Sequence, residues 1–505
     1  MSHFHFHFHF FFTSFYDCKE ILIEQMVEEK HIRKPEFNER IYICRTVGKY
    51  SSNFSISVKY NQYVSKELLS NALHSMIQKN SWFVQNFFRI NGGDEEDDKV
   101  ANGTNYEVRI IDSIKFEDVV SYEKIKKFNG ETMGFLNEFI FTMNSSTLPL
   151  WKVFVFEESN GEQLISVCFD HSHFDGLSGV QFQKDLAKEL SLAEEKYIDE
   201  LFNYERDFEN LPKEILPPVD TLTDLFTPSR WLITSLLLNK FVPLYASVVK
   251  YFWPPDPPVF KTKKPNDKNL KAHYRYLKLT SDQVSEIYKC CRSMGVTVTA
   301  YFDIMCLKAL QDTVFQSVKP KADFTSSLIA VNGRRYYSDD IKNFKYGTMV
   351  CGVPIIFPRV IDDEKKAMKT FNTKLQEDIK HKKSFQAIGV IKFINIWEFF
   401  KNKIINNDPR FTVTVSNLGK ISDSNDIYTF KELYFTLNTG IIYNFVLNIT
   451  TLPNGELTAV FGNIPEFENY ELNGNPVMDE FISTFKNYLL DFHQSVNLPS
   501  PPHQN

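Results

Sequence analysis

One short segment of the chain concentrates side chains that can move a proton. Residues 168–179 read CFDHSHFDGLSG, with two histidines, two aspartates and two glycines. Histidine has the unperturbed side-chain pKa closest to neutrality, so His171 suits a general base. Asp175 can fix the local backbone and the orientation of the imidazole, and Gly176 leaves room for a substrate. His171 and Asp175 are the candidate catalytic residues, while His173, two residues before Asp175, is assigned a structural role.

The predicted elements around this segment place it at the end of a sheet. Gln163–Asp170 is an apolar strand that runs directly into the histidines, and residues 150–157 form the strand before it. Asn160 and Gly161 between the two strands are a strong hairpin signal. A helix is predicted over residues 180–192. Loops at strand ends commonly present catalytic side chains, so these elements favour a functional site here.

Strands and helices alternate irregularly along the rest of the chain. Residues 66–80 have helical spacing and residues 82–90 read as a buried strand, while residues 92–98 form an acidic loop. In the second half, strands are predicted at 273–279, 326–331, 349–357, 411–415, 441–448 and 456–461. One helix is predicted to begin at Ser281, a second to cover residues 295–310 and a third to cover residues 478–493. Strict βαβ alternation and a nucleotide-binding glycine fingerprint are both missing. The prediction is an α+β protein with two halves of similar size.

Composition and charge exclude several classes of protein. The 505 residues are 43% hydrophobic and 24% charged, close to the average of globular proteins, and exceed the usual size of one core. A net charge of −6 gives no support for nucleic-acid binding, which needs a concentrated basic face, so no nucleic acid is expected as a partner. Seven dispersed cysteines without a CxxC pair indicate neither a zinc site nor a disulfide framework. No metal is therefore expected.

Shifts in composition divide the chain into four parts. Residues 1–20 alternate His and Phe as a low-complexity tail, and residues 21–210 form an N-terminal domain with the histidine segment. Residues 211–264 are an apolar linker bracketed by prolines, and residues 265–505 form a C-terminal domain. Within the linker, residues 231–253 are long enough to cross a bilayer, but Lys240 and Pro243 interrupt them. Two interpretations of residues 231–253 remain: short helices that lie on a membrane surface or in a hydrophobic cleft, and ordinary core helices between the domains.

Several short motifs resemble one enzyme superfamily. His171 to Gly176 matches the HxxxDG motif of CoA-dependent acyltransferases with the chloramphenicol acetyltransferase-like fold. Its extension through Gly179 is similar to the fungal alcohol O-acetyltransferase family. Further similarities in the same order are Pro149-Leu-Trp, Val331-Asn-Gly-Arg334 and Val415-Ser-Asn-Leu-Gly. Two features depart from relatives: Asp170 stands where many have a second histidine, and the DFGWG motif of the plant branch is absent.

The resemblance implies an architecture and a set of site residues. It implies two chloramphenicol acetyltransferase-like domains, each a mixed sheet with helices, with the active site in a channel at their interface. His171 would act as the base, Gly176, Ser416 and Asn417 would bind substrate, and the last two could supply an oxyanion donor. Arg334, or alternatively Arg335, would pair with Asp175 across the interface. Acetyl-CoA is implied as a co-substrate, with no permanently bound cofactor.

Three functions follow from the resemblance. The first is transfer of an acetyl group from acetyl-CoA to an alcohol hydroxyl, which gives acetate esters. The second is N-acetylation of a long-chain amine or sphingoid base, because related proteins share the motif. The third is a membrane-surface binding protein with a decayed site, which the intact motif disfavours. We expect a cytoplasmic monomer, peripheral on endoplasmic reticulum or lipid droplets.

Overall fold

The computed structural model describes residues 32–50, 52–90, 105–211, 221–242, 271–423 and 425–497. Three predicted segments lie outside the described residues: the tail at 1–20, the acidic loop at 92–98, and residues 243–253 of the apolar stretch in the linker.

The strands occur in both halves of the chain. The first half contains β1 to β9, at Ile32–Arg33, Asn53–Tyr60, Gln85–Arg89, Tyr106–Ile110, Ser113–Lys115, Val120–Ile125, Trp151–Glu158, Gln163–Asp170 and Glu200–Asn203. The second half contains β10 to β18, at His273–Leu279, Phe324–Asn332, Val350–Pro358, Phe411–Lys420, Phe430–Leu437, Tyr443–Thr451, Leu457–Asn463, Glu471–Leu472 and Asn475–Pro476.

The helices are numbered in the same way. Helices α1 to α7 lie at Phe37–Val47, Lys66–Lys79, Phe116–Val119, Gly130–Glu138, Gly176–Leu190, Tyr204–Asp207 and Arg230–Phe241. Helices α8 to α14 lie at Ser281–Met294, Val298–Asp312, Val314–Val318, Glu364–His381, Lys383–Gly389, Ile396–Ile405 and Val477–Asn497.

Two large mixed sheets organise the molecule. The five-stranded sheet has the order β14-β2-β8-β7-β6, and the six-stranded sheet has the order β10-β16-β15-β13-β11-β12. Strand β6 pairs parallel with β7, and β13 pairs parallel with β11 and β15, while the other neighbours are antiparallel. Each sheet has its own hydrophobic core, which helices cover. This arrangement confirms the predicted fold class.

Strand β14 comes from the second half of the sequence but lies in the sheet of the first half. It pairs antiparallel with β2, from Phe430 opposite Tyr60 to Leu437 opposite Phe54. The sequence analysis did not predict this strand, because its partner lies 370 or more residues away in the chain. The two sheets are therefore joined through a strand exchange as well as through side-chain packing.

Among the local boundaries that differ from the predictions, two have a clear local cause. Residues 82–90 were predicted as one strand, but Ser81–Val84 form a 3₁₀ turn and only Gln85–Arg89 form a strand. Asn80 accepts a hydrogen bond from the Trp82 N–H, which favours the turn. Helix α5 begins at Gly176, four residues before its predicted start, because Asp175 serves as its N-cap. The hairpin at Gly161 is confirmed, with a φ of 84° that glycine adopts readily.

Candidate active site

His171 follows the last residue of β8 and is held by both halves of the chain. Its backbone N–H donates to the Ser52 carbonyl at 2.8 Å, which continues the pairing of β2 with β8. Its carbonyl accepts a hydrogen bond from Thr348 Oγ1 at 2.6 Å. The backbone at His171 is therefore fixed at the boundary between the two sheets.

Aromatic rings enclose the imidazole of His171. Tyr42 on α1 stacks on it, with ring centroids 4.4 Å apart and planes 8° from parallel, and Phe54 approaches edge-on at 5.2 Å. Nδ1 is buried and makes no hydrogen bond, whereas the residue as a whole is only partly buried. Nε2 is therefore the nitrogen that can meet a substrate.

The environment of His171 keeps its imidazole neutral. Burial lowers the pKa of His171 to about 4, and the positive charge of Arg45 contributes to the decrease. Asp175 and the carbonyls of His171 and Phe174 act in the opposite direction without reversing it. The pKa therefore lies below the neutral range, so Nε2 is free to accept a proton there.

Asp175 uses both carboxylate oxygens in hydrogen bonds within the fold. Oδ1 accepts from the N–H and the hydroxyl of Ser178, both at 2.9 Å, which caps helix α5. Oδ2 accepts from Arg334 Nη1 at 2.6 Å and from the Met349 N–H at 2.9 Å. Burial would raise the pKa of Asp175, but Arg334 and these hydrogen bonds outweigh it and lower the pKa. The carboxylate is held as an anion and positions the turn.

Arg334 joins the two halves at this turn. It lies just after β11, and besides Asp175 its Nη2 donates to Ser178 Oγ at 3.1 Å and to the Gly347 carbonyl at 2.8 Å. The ion pair is largely buried, with 14% and 5% of the two side chains exposed. Arg335 is exposed. A single guanidinium thus ties the histidine turn to the segment 347–349.

Asp170 has a structural role that the sequence analysis left open. Its Oδ2 accepts from Thr46 Oγ1 at 2.7 Å and from Ser52 Oγ at 3.1 Å, and its Oδ1 accepts from the Ser172 N–H at 2.8 Å. The side chain is fully buried. Asp170 therefore connects the end of α1 to the loop of His171, and it does not face a substrate.

His173 is fully occupied in packing. Its Nε2 lies 3.0 Å from the Trp82 carbonyl, and the Trp82 indole N–H donates back to the His173 carbonyl at 2.9 Å. The two rings stack at 4.1 Å and the histidine is 1% exposed. Burial holds its pKa well below the usual value. This environment matches the structural role assigned from the spacing.

Gly176 lies where the two sheets approach each other. A Cβ on this residue would come within 3.0 Å of Leu418 Cδ2 and 3.2 Å of Phe435 Cζ. Leu418 belongs to β13 and Phe435 to β14. The missing side chain therefore allows the first turn of α5 to pack against these strands, and direct contact with a substrate is not needed to explain it.

Ser416 and Asn417 point to opposite faces of the six-stranded sheet, as neighbours in a strand do. Ser416 is partly buried and lies opposite Asn448 of β15. Asn417 places its amide nitrogen 3.3 Å from Thr299 Oγ1 on α9, and its Oδ1 accepts from the Gly419 N–H at 2.9 Å. The contacts of Asn417 do not support a role as an oxyanion donor, and Ser416 lies on the other face of the strand.

Tyr42 and Arg45 are site residues that the sequence reasoning missed. The Arg45 guanidinium lies over the Tyr42 ring, 5.1 Å from its centroid. The same ring stacks on the imidazole of His171. Burial raises the pKa of Tyr42 far above neutrality, although the positive charge of Arg45 acts in the opposite direction, so the hydroxyl stays protonated. Both residues lie on α1, more than 120 positions before the motif, and no local signal marks them.

The described part of the chain offers no cluster of three or more His, Cys, Asp or Glu side chains that could hold a metal ion. What it offers is one neutral imidazole with an accessible nitrogen, held between sheets by an internal carboxylate–guanidinium pair. Such a site can remove a proton from a hydroxyl or amine and return it to a leaving group.

The chain resembles proteins of one family over most of its length. The family model described as alcohol acetyltransferase matches residues 37–489. The chain belongs to the alcohol acetyltransferase family. It is therefore an acyltransferase, and the resemblance inferred from the HxxxDG motif is confirmed at the family level.

Curated relatives agree with this family. The chain is 22% identical to alcohol O-acetyltransferase 2 of Saccharomyces cerevisiae over 89% of its own length and 95% of that protein. It is 23% identical to alcohol O-acetyltransferase 1 of the same yeast over 44% of its length and 47% of that protein. An uncharacterised protein of Schizosaccharomyces pombe is 22% identical over 74% of this chain and 82% of that protein.

Solved structures share the fold. Trichothecene 15-O-acetyltransferase from Fusarium sporotrichioides superposes with a TM-score of 0.59 at 13% identity, over 91% of this chain and 95% of that one. The condensation domain of monacolin K polyketide synthase gives 0.59 at 14% identity, over 92% and 97%. The wax ester synthase/diacylglycerol acyltransferase from Marinobacter aquaeolei gives 0.55 at 10%, over 92% and 100%. The predicted chloramphenicol acetyltransferase-like architecture is thereby confirmed.

Proposed function

We propose that this family member transfers an acetyl group from acetyl-CoA to the hydroxyl of an alcohol and releases an acetate ester. The observation that carries the proposal is the environment of His171. Burial lowers its pKa to about 4, Nδ1 is enclosed, and the buried carboxylate of Asp175 is already paired with Arg334. A base that is neutral before reaction and needs no covalent intermediate fits direct transfer between two bound substrates.

The reaction requires one proton and one acyl group to move. Nε2 of His171 takes the proton of the acceptor hydroxyl, and the oxygen attacks the thioester carbonyl. The tetrahedral intermediate then collapses, the bond from carbon to sulfur breaks, and the CoA thiolate receives the proton from the imidazolium. Ser416 is our candidate donor to the oxyanion. Base and donor groups of this kind contribute roughly 10²–10⁴-fold and 10²–10³-fold to rate, respectively.

A direct assay tests this function. Purified protein is incubated with acetyl-CoA and alcohols of increasing chain length, with thiol release followed by colour and esters by gas chromatography. His171→Gln should lower the rate by roughly 10²-fold or more. His381→Gln is the matched control, because His381 is exposed at the end of α11. Activity of His171→Gln within a few-fold of the parent would contradict the assignment.

An amine acceptor is the second candidate function. The same imidazole could take a proton during attack by a long-chain amine or a sphingoid base, since the acyl-transfer step is unchanged. Supplying a long-chain alcohol and a long-chain amine of equal length to the same preparation separates the two. A preference for the amine in kcat/KM would replace the ester product with an amide and leave the role of His171 intact.

We also propose that the enzyme acts as a monomer attached to the surface of an endomembrane or lipid droplet. One chain contributes both His171 and Arg334, which supports a site complete within a single copy. Among the described residues, no single helix is long and apolar enough to cross a bilayer. Helix α7 exposes large apolar side chains that favour a lipid boundary: Trp231, Ile233, Leu237, Leu238 and Phe241.

Flotation with liposomes tests the attachment. The intact protein should float with vesicles of neutral and anionic phospholipid, and Leu237→Ser combined with Leu238→Ser should reduce the floating fraction. Leu192→Ser is the control, because Leu192 is 66% exposed but lies outside α7. The proposal would be overturned if the double variant and the Leu192→Ser control floated equally, or if the parent protein did not float at physiological salt.

A further inference from the structure

A buried segment of the second half, residues 346–349, lies directly against the catalytic turn. The segment comes just before β12, and all four of its residues are buried. Phe174 of the catalytic turn forms a parallel β-bridge with Gly347. On the other side, the Tyr346 hydroxyl donates to Asp185 Oδ2 of α5 at 2.5 Å. The second half of the chain is therefore anchored both to the turn and to the helix that follows it.

Thr348 of this segment contacts the candidate base and α1 at the same time. Its hydroxyl donates to the His171 carbonyl at 2.6 Å, and its own carbonyl accepts from Asn38 Nδ2 at 3.3 Å. Asn38 lies in the first turn of α1, the helix that also carries Tyr42 and Arg45. The ring of Tyr42 stacks on the imidazole. One buried residue thus holds the base and the helix that supplies its stacking partner.

The hydrogen bond from Thr348 restricts the direction in which the imidazole points. The N–H of His171 donates to the Ser52 carbonyl, which holds the peptide group before the His171 Cα. The Thr348 hydroxyl holds the peptide group after it. Because peptide groups are planar, fixing both of them fixes the direction of the bond from Cα to Cβ. A rotation at this point would move Nε2, the far atom of the ring, by more than it moves the backbone.

Small displacements of a base have large effects on rate. A misplacement of about 1 Å can lower a rate by about 10²-fold, because the proton transfer requires close contact between the reacting atoms. Thr348 has no partner role in the proton transfer itself, since its hydroxyl donates to a backbone carbonyl. Its effect on the reaction would therefore act through His171.

We propose that Thr348 is a positioning residue for acyl transfer, which places Nε2 of His171 by holding the His171 carbonyl with its hydroxyl and α1 with its carbonyl. The inference rests on the proposed function of His171 as the base. It adds a residue of the second half, outside the HxxxDG motif, on which the rate of the chemical step depends.

Steady-state kinetics of Thr348 variants tests the proposal. Thr348→Val keeps the shape of the side chain and removes the hydroxyl, so kcat for acetyl transfer to the best alcohol should fall about tenfold or more. KM for acetyl-CoA and for the alcohol should stay within about twofold, because the groups that bind the substrates are unchanged. Thr348→Ser retains the hydroxyl and should recover most of kcat. Thr348→Ala also lacks the hydroxyl and should be as slow as Thr348→Val.

Thr313→Val is the matched control. The Thr313 hydroxyl donates to the Ala309 carbonyl at 2.6 Å, and Thr313 and Thr348 are both 3% exposed. The same substitution therefore removes a buried bond of the same type and length at the end of α9, where no contact with the catalytic turn is made. Thr313→Val should lower the melting temperature about as much as Thr348→Val and leave kcat within about twofold of the parent.

Three results would overturn the proposal. The first is a decrease of kcat in Thr348→Val and Thr348→Ala no larger than in Thr313→Val. The second is a Thr348→Ser variant as slow as Thr348→Val, and the third is an increase of KM with kcat unchanged. Failure of the proposed function gives a different result, since His171→Gln would then stay active in a protein with Thr348 intact.

Discussion

At the scale of single residues, the chemistry of the site depends on the burial and protonation state of the His171 imidazole. Tyr42 and Phe54 remove His171 from water on two sides, and Arg45 places a positive charge behind the stack. Both effects disfavour the imidazolium, so the residue starts the reaction unprotonated. The corresponding decrease in basicity means that the oxyanion donor and substrate positioning must supply the rest of the acceleration.

The acidic limb of the pH–rate profile should report this environment. Because burial and Arg45 lower the pKa of His171 to about 4, kcat/KM should stay flat through the neutral range and fall only in acid. Arg45→Met removes the charge, keeps most of the apolar stem, and should move the acidic limb to higher pH. Tyr42→Phe retains the stacked ring and is expected to leave the limb in place. An unchanged limb in Arg45→Met would exclude Arg45 from the control of the base.

At the scale of elements, the N-terminus of α5 is the joint that aligns the site. Asp175 caps the helix through Ser178 and pairs with Arg334 from the second half, so one side chain fixes both the helix and the contact between halves. The motif spacing therefore has a mechanical explanation, because the base precedes the first turn of a helix whose cap lies four residues later. The carboxylate positions the base and does not relay its proton.

Substitutions at Asp175 should separate capping from charge pairing. Asp175→Asn keeps a good helix cap and loses the ion pair, whereas Asp175→Ala loses both and should be the less stable variant. Removing one partner of a buried pair costs about 3–5 kcal/mol, so soluble yield should fall in each case. Urea unfolding of Asp175→Asn, Arg334→Met and the double variant should give a coupling energy of about 0.5–3 kcal/mol. Additive effects would mean that the pair contributes little.

Helix α9 carries a buried acid that should make stability depend on pH. Asp303 is fully buried, its Oδ2 accepts from Ser327 Oγ at 3.0 Å, and its Oδ1 has no partner. Burial raises the pKa of Asp303 to about 7, above its value of about 3.9 in the unfolded chain. Between these values the folded protein binds more protons than the unfolded chain, so the free energy of unfolding decreases as pH rises.

Asp303→Asn should remove this dependence. Relative to the parent, the variant should gain stability at pH 8 compared with pH 5, by an amount on the order of a few kcal/mol. Denaturant unfolding at the two pH values measures the difference. Asp282→Asn, at an exposed position on α8, serves as the control. A gain that is equal at both pH values would show that Asp303 does not titrate in this window.

At the scale of the whole molecule, the two halves of the sequence do not correspond to two independent sheets. Strand β14 forms an edge of the first sheet, and its side chains pack into the first core, as do Val446 and Val460 of the second sheet. The active site lies where these connections meet, since Leu418 and Phe435 enclose Gly176. The geometry of the site is therefore coupled to the folding of the entire chain.

The first half should not fold by itself. A fragment of residues 1–242 lacks β14 and exposes the edge of β2 together with apolar side chains that β14 covers. We expect this fragment to be recovered mainly in the insoluble fraction, and co-expression with residues 243–505 to return part of it to the soluble fraction. A soluble fragment with one cooperative thermal transition would contradict the interdependence of the halves.

The sequence by itself determined the elements and the chemistry. Periodicity and turn residues predicted the strands Gln163–Asp170 and His273–Leu279 with the bounds that the structure has. The first is buried throughout, whereas the second mixes buried and exposed residues. The HxxxDG segment identified the family and pointed to His171 as the candidate base, because its residues are contiguous. Such features depend on interactions between near neighbours in the chain.

The tertiary structure decided everything that depends on distant parts of the chain. Tyr42 and Arg45 reach His171 only because α1 packs against the loop after β8, and β14 is recognisable only once β2 is beside it. Asn417 faces α9, and its neighbour Ser416 therefore points away from that helix, because successive residues of a strand point to opposite faces. The pKa of His171 likewise follows from burial by these remote groups, which residue spacing does not encode.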